Sequence, residues 1–428
     1  MSGPAAASIG GLWLSKVKKA LVVDIGGTTT DISLVDSGAP SLSFDGAEIS
    51  GWKTMVESLS IETLGLGGDS EVTIDNSNNT ERLSIGPRRI VPLCILGKQH
   101  SGILNTMEKQ LNFPSVSNTD GQFVWIPKKC LPPKWLRPIE KKLFEKFSDN
   151  HPFPVTEIAP NQALLGALNR LINSDLVKLS GFTPTDAAHV LFLFNDFNAQ
   201  AANLGAHIFS KQKIISGELI AKNAKQLSEL VHETLILKST KAILNYIYKK
   251  EFKYIKGHLV QQNPLIENAI KENDRYLTTI SVKINLPIIS IGASAKTYYP
   301  KIASKLSTKI FIPNHYSVAG AVGAAVGLIR QEFKVLITKT EDDLFKIHGN
   351  VKLKSFKNLD DATNYAISKA KKGAYEKSFN AGAQNIKIDV KNHDKIISIG
   401  SNQTLFLERA IVATAKGSPF AKKNQKIV

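Results

Sequence analysis

The apolar positions change their period along the chain. Leu21-Val22-Val23-Asp24-Ile25 is a short, nearly continuous apolar run, the pattern of a strand buried on both faces. Asp31 to Asp36 alternates and predicts a second strand. Gly26-Gly27 between them is turn chemistry, and Ser37-Gly38 marks the next turn. Leu42–Phe44, Glu71–Ile74 and Arg82–Ile85 read as further short strands, and Lys53–Ser58 as a short helix. The character changes after about Cys94. Residues 105–160 hold eight prolines and read as an insertion or linker with one helix, Arg137–Phe147. Residues 160–275 read as mainly helical, over Asn161–Ile172, Asn198–Phe209 and Ser216–Lys249. A strand–helix–strand–helix run follows: Pro287–Ile291 ending in Gly292, Ala295–Leu306, Lys309–Ile312, and the Gly/Ala-rich Val318–Arg330. The rest reads as a small α+β unit, with a helix over Leu359–Lys377 and strands over Ile386–Val390 and Ala410–Ala415.

Charge changes this picture little. The net charge is +17, but 46 of the 54 basic residues are Lys, spread along the chain, and only 8 are Arg. Readers of phosphate and base edges lean on the Arg fork, so the excess reads as a solvated surface and no nucleic-acid partner is expected. Two cysteines, Cys94 and Cys130, exclude a disulfide scaffold and a thiolate zinc site. No apolar run reaches the roughly 20 residues that span a bilayer, and no positive residue precedes the apolar Ala5–Leu14 stretch. The expectation is a cytoplasmic protein without membrane contact.

The segment Asp24-Ile25-Gly26-Gly27-Thr28-Thr29-Thr30-Asp31 carries the most chemistry. It joins two strands, which excludes a Walker loop and a Rossmann fingerprint, since both open a helix. Gly26 and Gly27 allow close approach of a ligand, and the turn amides with the hydroxyls of Thr28, Thr29 and Thr30 form a donor cluster suited to a polyphosphate. Asp24 and Asp31 flank it with hard oxygen donors that suit Mg²⁺. A plain β-turn with polar edges is the alternative that residues 26–28 alone would support.

The octapeptide resembles the D-I/M-G-G-T-x-T-D hairpin of the hydantoinase/oxoprolinase family. Other stretches are similar in the same order: Ser2-Gly3-Pro4-Ala5, Gly51-Trp52, Gly65 to Ser70 (GLGGDS), Gly86 to Pro92 (GPRRIVP), Thr183 to Ala187 (TPTDA), Val318 to Gly327 and Ala413 to Pro419. The resemblance implies an α/β fold: an actin-like, sugar-kinase-like ATPase lobe over residues 1–330 with a helical, Pro-rich insertion at about 105–280, then a small α+β domain over 331–428. It implies ATP and Mg²⁺ as cofactors and ATP-dependent opening of a cyclic amide such as hydantoin or 5-oxoproline. Family members carry two such hairpins, one on each lobe of the nucleotide cleft, and this chain carries one. A separate polypeptide carrying the N-terminal lobe is therefore expected to complete the cleft, and a hydantoinase B-type polypeptide is the other partner the resemblance implies. The alternatives are a non-catalytic remnant or partner-dependent subunit, and another ATP-using enzyme of the superfold, a kinase or ketone carboxylase subunit.

Further residues enter on this reading. Gly67 and Gly68 form a second turn at the nucleotide, and Gly292-Ala293-Ser294 a third beside it, where a strand gives way to a helix. Asp69 and Asp186 are the candidates for the general base, and Asp186 and His189 lie one helical turn apart and could share a metal or a proton. Thr183 reads as an N-cap with Pro184 at the first helical position. Gly320, Gly323 and Gly327 share a helix face and read as close packing against the sheet. His232-Glu233 lacks a second His at Ile236, which excludes a zincin motif.

Overall fold

The computed structural model describes residues 3–36, 39–43, 48–49, 52–53, 58–75, 82–128, 130–252, 263–271, 277–340, 342–399 and 403–419. The turn expected at Ser37-Gly38, most of the helix expected at Lys53–Ser58, and Phe44 and Gly51 lie outside them. The fold is mixed α/β and divides into two compact units, Met1–Gly323 and Ala324–Val428.

In the first unit, helix α1 (Gly3–Ser15) leads into strand β1 (Ala20–Ile25), which turns into the antiparallel strand β2 (Thr30–Asp36) and then β3 (Ala39–Pro40). Strand Ile288–Ile291 lies parallel to β1 on its other edge, and Ile310–Phe311 lies parallel beyond that. Strand Ile61–Leu64 pairs antiparallel with β2. The near-continuous apolar run of β1 is buried on both faces, as its composition requires. Leu21, Val23 and Ile25 join one core, shared with the long helix Ala224–Glu251. Ala20 and Val22 join the other, with Ala7 and Leu12 of α1 and with Ile289 and Ile291. This alternation places α1 on one side of the sheet and the helical layer on the other.

Residues 105–160 are not a linker. Strands Val91–Pro92, Lys178–Gly181, Phe123–Trp125 and Phe153–Pro154 form a second sheet. Helices Pro138–Phe144 and Gln162–Asn173 close a core of Val124, Phe147, Leu168 and Leu171. Two of the prolines sit where they cost little: Pro138 opens a helix and Pro154 closes a two-residue edge strand. The long helix starts at Ala224, later than expected, because the Asn223 side chain caps it by accepting from Gln226 N at 2.9 Å.

The helix expected over Val318–Arg330 stops at Val326, and Ile329–Lys339 is a strand of the second unit. There Ser355–Phe356, Phe345–His348, Ile329–Lys339, Gln403–Pro419 and Ala383–Ile399 form a sheet in that order. Helix Leu359–Asn380 lays Ala362, Ala366, Ala370 and Ala374 against it. Both strands expected here are present and much longer, at 17 residues each. Among the described residues, no helix is long and apolar enough to cross a membrane.

Candidate phosphate and cation site

The octapeptide is a tight hairpin. The β1–β2 register sets Asp24 directly opposite Asp31 and Ile25 opposite Thr30, so the two carboxylates share one face. Gly26 N donates to Thr29 O at 3.1 Å and closes the turn; among the described residues nothing accepts from the amides of Gly27, Thr28 and Thr29. Thr28 is exposed and Thr29 half-buried.

The second and third turns converge on the hairpin. Gly68 N donates to Gly26 O at 3.1 Å and Asp69 N to Gly27 O at 2.7 Å. The approach demands glycine: a Cβ on Gly67 would lie 2.5 Å from Gly27 O, and one on Gly27 would lie 2.3 Å from Asp69 Oδ2. Ser294 N donates to Ile25 O at 3.3 Å. Gly292 has φ +91°, and a Cβ there would meet Ile25 O at 2.3 Å and Asp24 Oδ1 at 2.4 Å. Ala293 is exposed beside it. Gly26, Gly27, Gly67, Gly68, Gly292, Ala293 and Ser294, which stand far apart in sequence, therefore meet in one place.

Burial, and then the Asp31 carboxylate, push the Asp24 carboxyl up to about 6. Burial also raises Asp31, against a hydrogen bond from the Thr63 hydroxyl that lowers it. Two oxygen-only groups held together at this cost form a donor set that suits a hard cation. Tyr299 is fully buried, raised by burial and then by Asp24, and its hydroxyl has no partner among the described residues. Among the described residues there is no group of three His, Cys, Asp or Glu able to hold a metal.

Two expected residues take structural roles. Thr30 is buried and its hydroxyl donates to Leu66 O at 2.6 Å, strapping the first turn to the second instead of facing a ligand. Asp186 is fully buried at the start of helix Pro184–Val190. Its carboxylate accepts from Leu93 N (3.2 Å), Cys94 N (2.7 Å), and both Thr183 N (2.9 Å) and the Thr183 hydroxyl (2.8 Å). A carboxylate so committed has no place for a substrate proton. It shares nothing with His189, whose Nδ1 bonds Thr185 O at 2.8 Å and whose Nε2 accepts from Phe197 N at 3.2 Å. Asp69 does stand at the site, with its side chain 14% exposed.

Three residues at the site were not singled out from the sequence. Thr185 N donates to Gly68 O at 2.8 Å and its hydroxyl reaches Asp69 Oδ1 at 3.4 Å. Arg89 Nη2 donates to Asp69 Oδ2 at 3.2 Å. Thr63 holds Asp31. Thr185 and Arg89 lie within the TPTDA and GPRRIVP stretches, which were the available signal.

Residues 1–100, which carry the hairpin, the second turn and Arg89, match the family model for hydantoinase/oxoprolinase. No curated protein matches the chain. Among solved structures, the nucleotide-free acetone carboxylase of a study of ATP-dependent acetone carboxylation matches at TM-score 0.50 and 12% identity, over 97% of this chain and 49% of that one. An ATP-dependent caprolactamase from Pseudomonas jessenii matches at TM-score 0.48 and 14% identity, over 98% of this chain and 50% of that one. The chain thus spans about half the length of both. At 12% identity the likeness to the carboxylase is one of fold.

Proposed function

We propose that the chain supplies the phosphate-binding lobe of an ATP-dependent enzyme that opens cyclic amides, such as hydantoin or 5-oxoproline, and that this lobe is actin-like. The observation that carries the reading is the convergence of three turns on the unspent amides of Gly27, Thr28 and Thr29, beside the opposed Asp24 and Asp31. The family match over residues 1–100 supports the substrate class. A second lobe would close the cleft, and a hydantoinase B-type polypeptide would be a partner.

A lactam carbonyl is a poor electrophile, and phosphorylation corrects this. Its oxygen attacks the γ-phosphorus of ATP and ADP leaves. Water then adds at the ring carbon, the C–N bond opens to free the amine, and a second water converts the acyl phosphate to carboxylate and free phosphate. The amides of residues 27–29 orient the transferred group, and Asp69, whose amide donates to Gly27 O, is the residue to handle a proton. Asp24 and Asp31 would hold Mg²⁺, which supplies charge neutralisation at the phosphates.

ATP turnover in the presence of a ring amide tests the reading. The expected result is free phosphate together with ring-opened product, abolished in Asp24→Ala. A phosphorylated product without free phosphate would instead make it a kinase, and a carboxylated ketone a carboxylase.

A further inference from the structure

Arg89 and Asp69 present a donor and an acceptor side by side at the edge of the hairpin. Arg89 Nη2 lies 3.2 Å from Asp69 Oδ2, yet the arginine side chain is 61% exposed and keeps most of its N–H groups unspent. Asp69 is fixed from three sides. Its amide donates to Gly27 O (2.7 Å), its carbonyl accepts from Ile90 N (3.0 Å), and its Oδ1 is met by the Thr185 hydroxyl (3.4 Å). Ser70, the residue after Asp69, pairs with Arg89 across adjacent strands, which brings Arg89 beside Asp69. Backbone hydrogen bonds thus set Asp69, and Arg89 through its contact with Asp69, against the turn that the reading above assigns to phosphate.

A small ring holds its amide cis, so N–H and C=O lie on one edge and present a donor beside an acceptor. A guanidinium only donates and an ionised carboxylate only accepts, so the pair can read that edge in one orientation alone. We propose that Arg89 and Asp69 are the specificity-determining residues for the ring, Arg89 donating to the carbonyl oxygen and Asp69 accepting from the ring N–H. This rests on the cyclic-amide reading and deepens it: the chain selects rings with a free N–H over N-alkylated rings and lactones. Hydrogen bonds to charged groups set the scale of the discrimination at about tenfold to a hundredfold.

Ligand-observed NMR titration of the full chain with 2-pyrrolidone, N-methyl-2-pyrrolidone and γ-butyrolactone tests this. In the wild type, 2-pyrrolidone binds at least about tenfold more tightly than the other two. Asp69→Ala brings the three to similar affinity. Arg89→Lys weakens all three alike and keeps their ratio, because each retains its carbonyl. A change in fold alone does not move the two variants in these different ways. Equal binding of the N-methyl ring and 2-pyrrolidone by the wild type overturns the assignment while leaving the cyclic-amide reading standing. An Asp69→Ala variant that loses affinity for all three rings with the ratio intact overturns it too. Failure of every ring to bind the wild type overturns the reading and the assignment together.

Discussion

Asp24 is the residue on which most depends, and its environment makes a signed prediction. Its carboxyl titrates near 3.8 in the unfolded chain and near 6 in the fold. Below pH 3.8 it is neutral in both states; above pH 6 the fold must bury a charge facing Asp31. Its contribution to stability is therefore present below pH 3.8 and is lost as pH rises through 6. Asp24→Asn should be more stable than the wild type by of order 2 kcal/mol at pH 7.5 and equal to it near pH 3.5. Urea denaturation at the two pH values checks this, and a wild type that is more stable at pH 7.5 would contradict it. Asp186 gives the opposite case. Asp186→Ala strips an acceptor from three buried amides, at about 3 kcal/mol or more. Calorimetric melting should show that loss, with MgATP affinity of the folded protein unchanged; a weakened affinity with an intact melting temperature would return Asp186 to the chemistry. The Asp24–Asp31 pair was legible in the sequence because two strands joined by a short turn fix their own register. Arg89 and Thr185 were not, because Asp69 meets them from 20 and 116 residues away.

At the scale of elements, the glycines of the Ala319–Val326 helix divide by what they face. The sequence reading packed Gly320, Gly323 and Gly327 alike against the sheet. The neighbour of Gly323 is α1: a Cβ on Gly323 would lie 1.7 Å from Ala6 O, whereas one on Gly320 meets nothing within 4 Å. Gly323→Ala should destabilise by about 3 kcal/mol, since backbone must move. Gly320→Ala should be neutral or stabilise by roughly 0.5–1 kcal/mol. Thermal melts of both variants test the assignment, which fails if the order is reversed. Long periodic helices were legible from their spacing, Gln162–Asn173 and Ala199–Ser210 among them. The second sheet was not: Phe123–Trp125 has three residues and Phe153–Pro154 two, too few to show a period among prolines.

At the scale of the whole molecule, each unit has its own apolar core. Of the motifs that carried the family resemblance, those before residue 100 fall in the matched segment. The boundary near residue 324 was harder to see, because Val318–Ile329 is apolar throughout and its spacing does not separate the end of a helix from the start of a strand. The central claim is that three turns of the first unit build a phosphate and cation site around Asp24. Titration calorimetry of the full chain with MgATP, with Asp24→Ala as the control, tests it most directly. The account predicts binding on the order of micromolar that is lost in the variant. Absence of binding by the wild type, or equal binding by Asp24→Ala, would contradict it.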